Sequence, residues 1–381
     1  MSGIKDVGVI GAALWPSVEG QARSLEEILF DITHAALRDA GLGIDDIDGI
    51  VVASNDQYDG RAISVMAASG SVGGVDRDIL STPSAGEHAF VMGALRVASG
   101  QYRTQLVLAW SPLETDDLEE VQRLAADPYY HRRLPLNEPS SDALQATVVE
   151  LTPGAAEAAW AVVAKNRANG AAAYPDLTMP ADEQPMHWPL VGAMLPPPTS
   201  GVVALVLASR AFIGGRADPA VAWVHGLGWA TESSYLGDRD LGRLPSLEAA
   251  AAQAYGAAGI TDPTLDFDVA EVADGAPHHE LLAYQALGLS APKDWVADLR
   301  SGRFAVGGAQ PINPSGGALS FNPVFCAGLM RIAEAANQVR GRAGGHQIEG
   351  VKRGLGHAAS GFAMQYNTVV VFGDQAKEAT P

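Results

Sequence analysis

Residues 312–323 read Ile-Asn-Pro-Ser-Gly-Gly-Ala-Leu-Ser-Phe-Asn-Pro and are the most informative stretch of this 381-residue chain. An Asn-Pro pair opens the stretch and a second Asn-Pro pair closes it. The adjacent glycines Gly316 and Gly317 are not part of a phosphate-binding P-loop, because no Gly-Lys-Ser/Thr follows them. The fold is therefore inferred from this stretch together with the segments on either side of it.

Two segments far apart in the chain repeat one pattern. Residues 36–41 read Ala-Leu-Arg-Asp-Ala-Gly, and residues 254–259 read Ala-Tyr-Gly-Ala-Ala-Gly. Each closes an alanine-rich helix on a glycine, which is a common helix stop. An Asp-containing turn and an apolar strand follow each of them, at residues 47–52 and 267–272. The shared order indicates a duplicated architecture.

A second pair of segments supports the duplication. The residues Phe-x-x-Gly-x-x-Arg-Val-Ala at 90–98 match Phe-x-x-Gly-x-x-Arg-Ile-Ala at 325–333. Both have helical periodicity, so we predict that they are equivalent helices of the two halves.

Short apolar runs alternate with helical stretches along the chain, which indicates an α/β fold with mainly parallel, helix-covered sheets. Residues 111–200 separate the halves; they are rich in proline and contain one predicted helix, Ala155–Asn169, so we interpret them as a loop domain laid over the core. The predicted strands are Val7–Gly11, Val51–Ala53, Leu106–Trp110, Val202–Ala208, Val221–Gly226, Val269–Val272 and Thr368–Phe372.

Composition excludes several classes of protein. The net charge of −19 disfavours binding to nucleic acid or to an anionic membrane surface. No apolar run approaches the roughly 18 to 20 residues that span a bilayer, and residues 1–10 do not have the pattern of a signal peptide. Cys326 is the only cysteine, which excludes an internal disulfide and fits a reducing environment, so we expect a cytoplasmic protein.

Residues 312–323 resemble the segment of thiolases that reads Asn-Pro-Ser-Gly-Gly, then a few residues, then Gly-His-Pro. Here Phe-Asn-Pro stands in place of Gly-His-Pro. Other segments are similar to blocks of the sterol-carrier-protein-type thiolases and lipid-transfer proteins, and together they cover nearly the whole chain. These segments are Lys165–Asn169, Trp188–Leu190, Asp268–Asp274, His279–Leu289 and Gln338–Gly344.

The resemblance implies a fold of two related halves, each with a five-stranded sheet, stacked in five layers as α-β-α-β-α. It divides the chain into an N-terminal half at 1–113, a loop domain at 114–200 and a C-terminal half at 201–381. Strand 201–209 would pair with the N-terminal half. The family usually forms dimers through its core sheets, so a homodimer is the expected state and a monomer the alternative.

Thiolase chemistry needs a cysteine nucleophile at a helix N-terminus, where the helix dipole favours the thiolate. The resemblance puts that position at Pro83, which has no reactive group. A shift of one residue would put Ser84 there. A serine at the start of a helix is most often a cap. Ser84 and His88 are also four residues apart, a spacing that would let a histidine activate a serine.

Two further catalytic positions of the family are altered, and a third resembles a variant of some branches. The pair after the strand ending at Val272 is Ala-Asp here, which keeps Asp274 and loses its partner. Asn322 replaces the Gly-His-Pro histidine; it can donate a hydrogen bond to an oxyanion but cannot transfer a proton. His357, in Gly-His-Ala-Ala-Ser-Gly, resembles a histidine-containing glycine loop of some branches. A working Claisen thiolase is therefore not expected.

The resemblance also indicates where coenzyme A would bind. Gly316 and Gly317 would let the backbone approach the active centre, and Tyr129 and Arg132 would meet a nucleotide phosphate or base, although a surface turn also explains them. No covalently bound cofactor is expected. The run His278-His279-Glu280 does not indicate a metal site, because adjacent histidines on a helix point in different directions.

Three functions remain open. The first, which we favour, is non-covalent binding of an acyl-CoA or another lipid thioester in lipid or steroid metabolism. The second is a retro-aldol lyase acting on a β-hydroxyacyl-CoA with a small OB-fold partner, as in some thiolase-like proteins of steroid side-chain degradation. His357 or Tyr366 would supply its base and Asn322 its hydrogen-bond donor. The third is a hydrolase that uses Ser84 with His88.

Overall fold

The computed structural model describes residues 3–17, 23–60, 62–111, 118–129, 131–134, 136–176, 186–196, 199–216 and 220–377. Within these residues, nine strands form a single mixed sheet. They are β1 (Val7–Ser17), β2 (Gly49–Ala53), β3 (Asp78–Thr82), β4 (Thr104–Ser111), β5 (Ser200–Ser209), β6 (Ala222–Thr231), β7 (Val269–Glu271), β8 (Arg353–Ser360) and β9 (Tyr366–Gly373).

Thirteen α-helices lie within the described residues, several of them a single turn long. They are α1 (Leu25–Asp39), α2 (Asp56–Asp59), α3 (Ser64–Ser69), α4 (Gly86–Ala98), α5 (Leu118–Ala125), α6 (Glu138–Val149), α7 (Ala155–Ala173), α8 (Arg210–Ile213), α9 (Pro245–Ala258), α10 (Pro277–Ala286), α11 (Trp295–Arg300), α12 (Gly317–Ser320) and α13 (Ala327–Arg340). Short 3₁₀ turns occur at Ile4–Asp6, Ile44–Asp46, Gly192–Met194, Leu236–Asp238 and Gly344–His346.

The strand order shows the duplication directly. The sheet runs β3-β2-β4-β5-β1-β6-β9-β8-β7, so the second half mirrors the first about the β1–β6 junction. In each half the first strand is antiparallel to the last, through β1 with β5 and β6 with β9. A parallel bridge between Ala270 and Ile312 takes the place that β3 has beside β2. The residues 312–323 therefore begin at the fifth strand position of the second half.

Helices and strands stack in five layers. Helix α1 covers one face of the first half of the sheet, at β1 and β5, and α9 covers β6 and β9 of the second half. Helices α4 and α13 pack against each other between the halves. One hydrophobic cluster contains residues of both central helices and of strands from both halves, including Phe90, Val203, Ile332 and Phe372. The expected α-β-α-β-α fold is thus confirmed.

The structure corrects one feature of that expectation. The two halves are not separate five-stranded sheets, because β1 pairs with β6 at Gly8–Trp223 and Val9–Ala222. Hydrogen bonding therefore continues across the whole molecule in one sheet. Strand β5 lies between β4 and β1, so it extends the N-terminal half although it follows the loop region in sequence.

All seven predicted strands are present, and two further strands were missed. Strand β3 is short and half exposed at the edge of the sheet, and β8 is rich in glycine and alanine. The loop region contains the predicted helix, as α7, and also α5 and α6. No helix among the described residues combines the length and the apolar character that crossing a bilayer requires.

The predicted equivalence of residues 90–98 and 325–333 is wrong in register. Helices α4 and α13 are equivalent, but Phe90 lies inside α4 whereas Phe325 precedes α13. The glycines that follow each helix with positive φ, Gly100 at 79° and Gly341 at 68°, give the correct correspondence. The glycine at the end of each helix marks equivalent positions, because it ends the helix with a positive φ in both halves. The shared sequence motif does not mark equivalent positions.

Candidate functional site

A cavity of about 870 Å³ lies at the N-terminal end of α4. All three parts of the chain line it: Ser84 and His88 come from the N-terminal half, Gln122 and Glu138 from the loop region, and Tyr366 from the C-terminal half. The cavity is larger than a single solvent site and falls within the size range of small-molecule pockets. It is the candidate functional site.

Ser84 and His88 meet in this cavity. The Ser84 Oγ lies 2.6 Å from Nδ1 of His88. The predicted capping role of Ser84 is not observed, because Ala85 is the N-cap of α4 and no side chain caps that helix. The Pro83 carbonyl accepts a hydrogen bond from the Asn55 side chain at 3.1 Å, which holds the turn. The sequence spacing of four residues therefore brings a hydroxyl and a base into contact.

The groups around His88 tie it to the second half of the molecule. The His88 ring packs edge-on against Tyr366, with ring centroids 5.6 Å apart. The neighbouring Glu87 carboxylate is fully buried and accepts a hydrogen bond from the Ser360 hydroxyl at 2.6 Å. Its Oε1 lies 4.0 Å from Nδ1 of His88, beyond hydrogen-bond distance. The site is thus assembled from α4, β8 and β9.

The loop region contributes a carboxyl group that sequence reasoning did not identify. Glu138 is the first residue of α6, and its Oε2 accepts a hydrogen bond from Nε2 of Gln122 at 2.8 Å. The Glu138 backbone N–H donates to Oε1 of the same glutamine at 3.2 Å. Burial raises the pKa of Glu138 to about 7, and the neighbouring Asp142 adds to that shift. The only sequence signal was its position at a capped, proline-containing helix start.

The predicted base His357 lies in strand β8 and not in a glycine loop. It is fully buried, its Nε2 lies 2.9 Å from Oδ1 of Asn367, and its Nδ1 accepts from the Ala273 N–H at 3.4 Å. Burial lowers its pKa to about 4. Both ring nitrogens are engaged inside the protein, and the residue does not line the cavity. His357 therefore links strands β8 and β9 and does not have the geometry of a substrate base.

Asp274 is buried behind the stretch 312–323. Its carboxylate accepts hydrogen bonds from the backbone N–H groups of Ala318 at 2.5 Å and Leu319 at 3.2 Å, and from the Asn166 side chain at 2.7 Å. Burial, with Glu280 nearby, raises its pKa to about 7. Asp274 therefore holds the short helix α12 in place instead of facing the cavity.

The glycines predicted to bind the cofactor are also buried. A Cβ atom on Gly316 would come within 2.3 Å of the Gly170 Cα, and one on Gly317 within 2.1 Å of Oδ2 of Asp274. Both have positive φ, 92° and 66°. The glycine pair allows the backbone to pack against α7 and Asp274, which corrects the prediction that it contacts a ligand in this cavity.

The other predicted residues lie near the cavity without lining it. Asn322 is half-buried, and its neighbours Val324 and Phe325 reach the cavity wall. Tyr129 is 84% exposed on the turn that carries the lining residues Asp127 and His131. Arg132 donates to the Leu124 carbonyl at 2.8 Å and so braces that turn. Contact of Tyr129 or Arg132 with a nucleotide stays a prediction.

The single thiol is not available for catalysis. Cys326 precedes α13 as its N-cap residue, not within the helix as predicted, and is fully buried. Its Sγ lies 3.4 Å from the Gly201 carbonyl oxygen. Burial raises the pKa of this thiol well above its usual range, so it is not a thiolate at neutral pH. Among the described residues there is also no group of three or more His, Cys, Asp or Glu side chains that would hold a metal ion.

Comparison with known proteins agrees with this architecture. Residues 228–374 match the family described as thiolase C-terminal domain-like. Sterol carrier protein 2 of Homo sapiens is 33% identical over 167 residues, which are 42% of this chain but only 30% of that protein. An acetyl-CoA acetyltransferase of Methanothermobacter thermautotrophicus is 26% identical over 94% of this chain and 97% of its own length.

A solved structure matches the fold over its whole length. The Ltp2-ChsH2(DUF35) aldolase superposes with a TM-score of 0.82, covering 98% of this chain and 99% of that chain at 19% sequence identity. At this identity the likeness concerns the fold alone.

Arg331 is central to the buried network behind the cavity, and its removal tests that network. Its Nη1 lies 2.7 Å from Oε2 of Glu271 and 2.6 Å from the Ser315 hydroxyl. Arg331→Met leaves the Glu271 carboxylate buried without its cation, so the free energy of unfolding in urea is expected to fall by about 3–5 kcal/mol. The control Arg243→Met, whose side chain is 54% exposed beside Glu248, is expected to change it by less than about 0.5 kcal/mol. Equal effects of the two variants would contradict this interpretation.

Proposed function

We propose that this chain, a member of the thiolase superfamily in its sterol-carrier-protein-type branch, binds acyl-CoA or a related lipid thioester without forming a covalent intermediate. One observation carries the proposal: the cavity at the start of α4 is lined by Pro83 and Ser84 where the family has its cysteine. The only thiol of the chain is buried elsewhere. Thiolase relatives act on coenzyme A thioesters, which supports the ligand class.

The cavity wall is suited to a thioester with an apolar chain. Exposed faces of Trp229 and Tyr366 line it together with Phe325 and Phe362. The N-terminus of the 13-residue helix α4 directs the positive end of its dipole toward the region of Ser84, while its Gly86 and His88 N–H groups bond the carbonyls of Phe325 and Ala85. A thioester carbonyl is the group on the ligand that this end of the helix would polarise.

Retro-aldol cleavage of a β-hydroxyacyl thioester is the second candidate, because the cavity keeps acid–base groups although it has no nucleophilic thiol. The β-hydroxyl proton passes to Oγ of Ser84 while the serine proton moves to Nδ1 of His88. The bond between the α- and β-carbons breaks, its electrons enter the thioester as an enolate, and the β-carbon leaves as an aldehyde or ketone. A proton returned to the α-carbon completes the shortened acyl thioester.

We also propose assembly with other chains. The Ltp2-ChsH2(DUF35) aldolase supports a small partner protein for the lyase, for which an OB fold is our expectation. We retain the cytoplasm as the proposed location.

A homodimer is the expected state of the isolated chain, since β3 is the terminal strand of the sheet and its outer edge is a natural site for pairing with a second copy. Sedimentation velocity at micromolar concentration is expected to give a dimer. Asp78 already pairs with Arg96 and Tyr102, so the exposed Ser81 is the better position for a disrupting charge, and Ser81→Lys is expected to give a monomer. A wild-type monomer would contradict the expectation.

Ligand binding in the cavity is tested by calorimetry with coenzyme A and with long-chain and steroid-side-chain acyl-CoAs, followed by mass spectrometry of the recovered ligand. Micromolar binding is expected. Ser234 is an exposed residue at the cavity wall, so Ser234→Trp should weaken binding at least tenfold, whereas Ser233→Trp, beside it and outside the lining, should not. Equal affinity of both variants would place the ligand elsewhere.

Cleavage is tested with β-hydroxyacyl-CoA substrates, measuring the aldehyde or ketone product. His88→Asn is expected to lower kcat about 100-fold or more because it removes the proton acceptor of Ser84. Tyr366→Phe, which keeps the aromatic ring against His88, is expected to stay within tenfold of wild type. A larger loss of kcat in Tyr366→Phe than in His88→Asn would instead assign the base to Tyr366. Recovery of the free acid, with Ser84 labelled by a phosphonate, would instead assign hydrolysis.

A further inference from the structure

The loop-region wall of the cavity carries its own hydrogen-bonded cluster, which the scheme above does not use. Glu138 and Gln122 exchange two hydrogen bonds, one through the carboxylate and one through the Glu138 backbone N–H. The Tyr58 hydroxyl hydrogen-bonds the same glutamine side chain. All three residues line the cavity, and they come from α6, α5 and α2. We call these residues the Glu138 cluster.

The cluster holds the carboxyl group in a defined orientation. Asn137 caps α6 and accepts from the Ser140 N–H at 3.0 Å, which fixes the helix start and the backbone of Glu138. Because Gln122 donates to Oε2, a proton on this carboxyl is carried by Oε1. The Tyr58 ring packs against Phe325, with centroids 5.7 Å apart, which positions the far side of the cluster beside the turn that precedes α13.

The surroundings favour the protonated carboxyl. Asp142 lies one helical turn further along α6, and its Oδ1 is 3.3 Å from Nε2 of His279 on α10. Asp142 raises the pKa of Glu138 and His279 lowers it, but burial is the largest cause and brings the pKa to about 7. Tyr58 is itself neutral, because burial raises its pKa well above the usual range. Glu138 is thus divided between its two protonation states near neutral pH.

Retro-aldol cleavage requires two proton transfers at different atoms of the substrate. One proton leaves the β-hydroxyl, and another must arrive at the α-carbon after the carbon–carbon bond has broken. The Ser84–His88 pair lies on the α4 side of the cavity and takes the first proton. A donor on another wall of the cavity can serve the second transfer, since the α-carbon separates from the β-carbon and its oxygen when the bond breaks.

We propose that Glu138, held by Gln122 on the loop-region wall, is the catalytic acid that protonates the α-carbon of the enolate; this rests on the lyase function proposed above. Oε1 gives up its proton, the enolate electron pair forms the new C–H bond, and the thioester carbonyl is restored. The carboxylate left behind regains a proton from water before the next turnover. The same step in reverse exchanges the α-hydrogens of an acyl thioester with solvent.

The test uses Glu138→Gln, which preserves the shape of the side chain and an acceptor oxygen for Gln122. It is measured in two assays, cleavage of a β-hydroxyacyl-CoA and exchange of the α-hydrogens of propionyl-CoA in D₂O. Glu138→Gln is expected to lower both rates by about 100-fold or more, while calorimetric binding of propionyl-CoA stays within threefold. Glu138→Asp is expected to retain part of both activities. Glu248→Gln, at a surface position, is the control.

The pH dependence separates an acid from a merely structural residue. The protonated carboxyl is the active form, so the wild-type cleavage rate should fall as the pH rises through about 7. The residual rate of Glu138→Gln should not show this decrease. Rates of Glu138→Gln within threefold of wild type in both assays overturn the proposal for Glu138 alone. Exchange that depends on Glu138 without any cleavage supports the acid and overturns the lyase. No exchange and no cleavage by the wild type overturns both.

Discussion

The structure around Gly316 and Gly317 depends on a network of buried charged side chains. Glu271 and Arg331 are almost inaccessible to solvent and lie 2.7 Å apart, and Lys165 of the loop region lies 2.9 Å from the buried Glu280. Charges removed from water are tolerated only when their partners and hydrogen bonds are in place. Asn166 contributes two of these bonds, to Asp274 at 2.7 Å and to Glu280 at 2.6 Å. The network therefore fixes α7 against the C-terminal half.

The same network gives the Asn-Pro-Ser-Gly-Gly stretch a structural function of its own. Asn313 has a positive φ of 53°, its side chain accepts from the Val272 N–H at 2.7 Å and donates to Glu280 at 2.8 Å, and its carbonyl accepts from Asn169. Ser315 bonds both oxygens of Glu271. These are structural functions, and a change at any of these residues would leave a buried charge or amide unpaired. The stretch indicates fold reliably for a reason separate from catalysis.

The features that sequence predicted correctly are those with a local cause. Apolar runs identified seven strands because buried strands exclude polar side chains. Strand β8 was not predicted, because Arg353–Ser360 contains glycines and alanines, packed under α13, in place of an apolar run. The Ser84–His88 contact was expected from the spacing of four residues, although Ser84 lies before the N-cap of α4. The position of Glu138 in the site could not be predicted, because Gln122 and Tyr58 reach it only through tertiary packing. His357 was predicted to be a base because a Gly-His pattern does not reveal burial in a strand.

The proposed function gives the N-terminus of α4 a role that does not need a thiol. In a thiolase the helix dipole stabilises a cysteine thiolate at this position. With Pro83 there, the positive end of the dipole acts on the buried Glu87 carboxylate in the first turn of α4 and not on a thiolate. The same positive end is also available to an oxyanion on the ligand, such as a thioester enolate. The proposed enolate chemistry, which needs no covalent acyl-enzyme, would thus use the dipole of α4. Substitution of side chains cannot remove this feature, because it arises from the backbone.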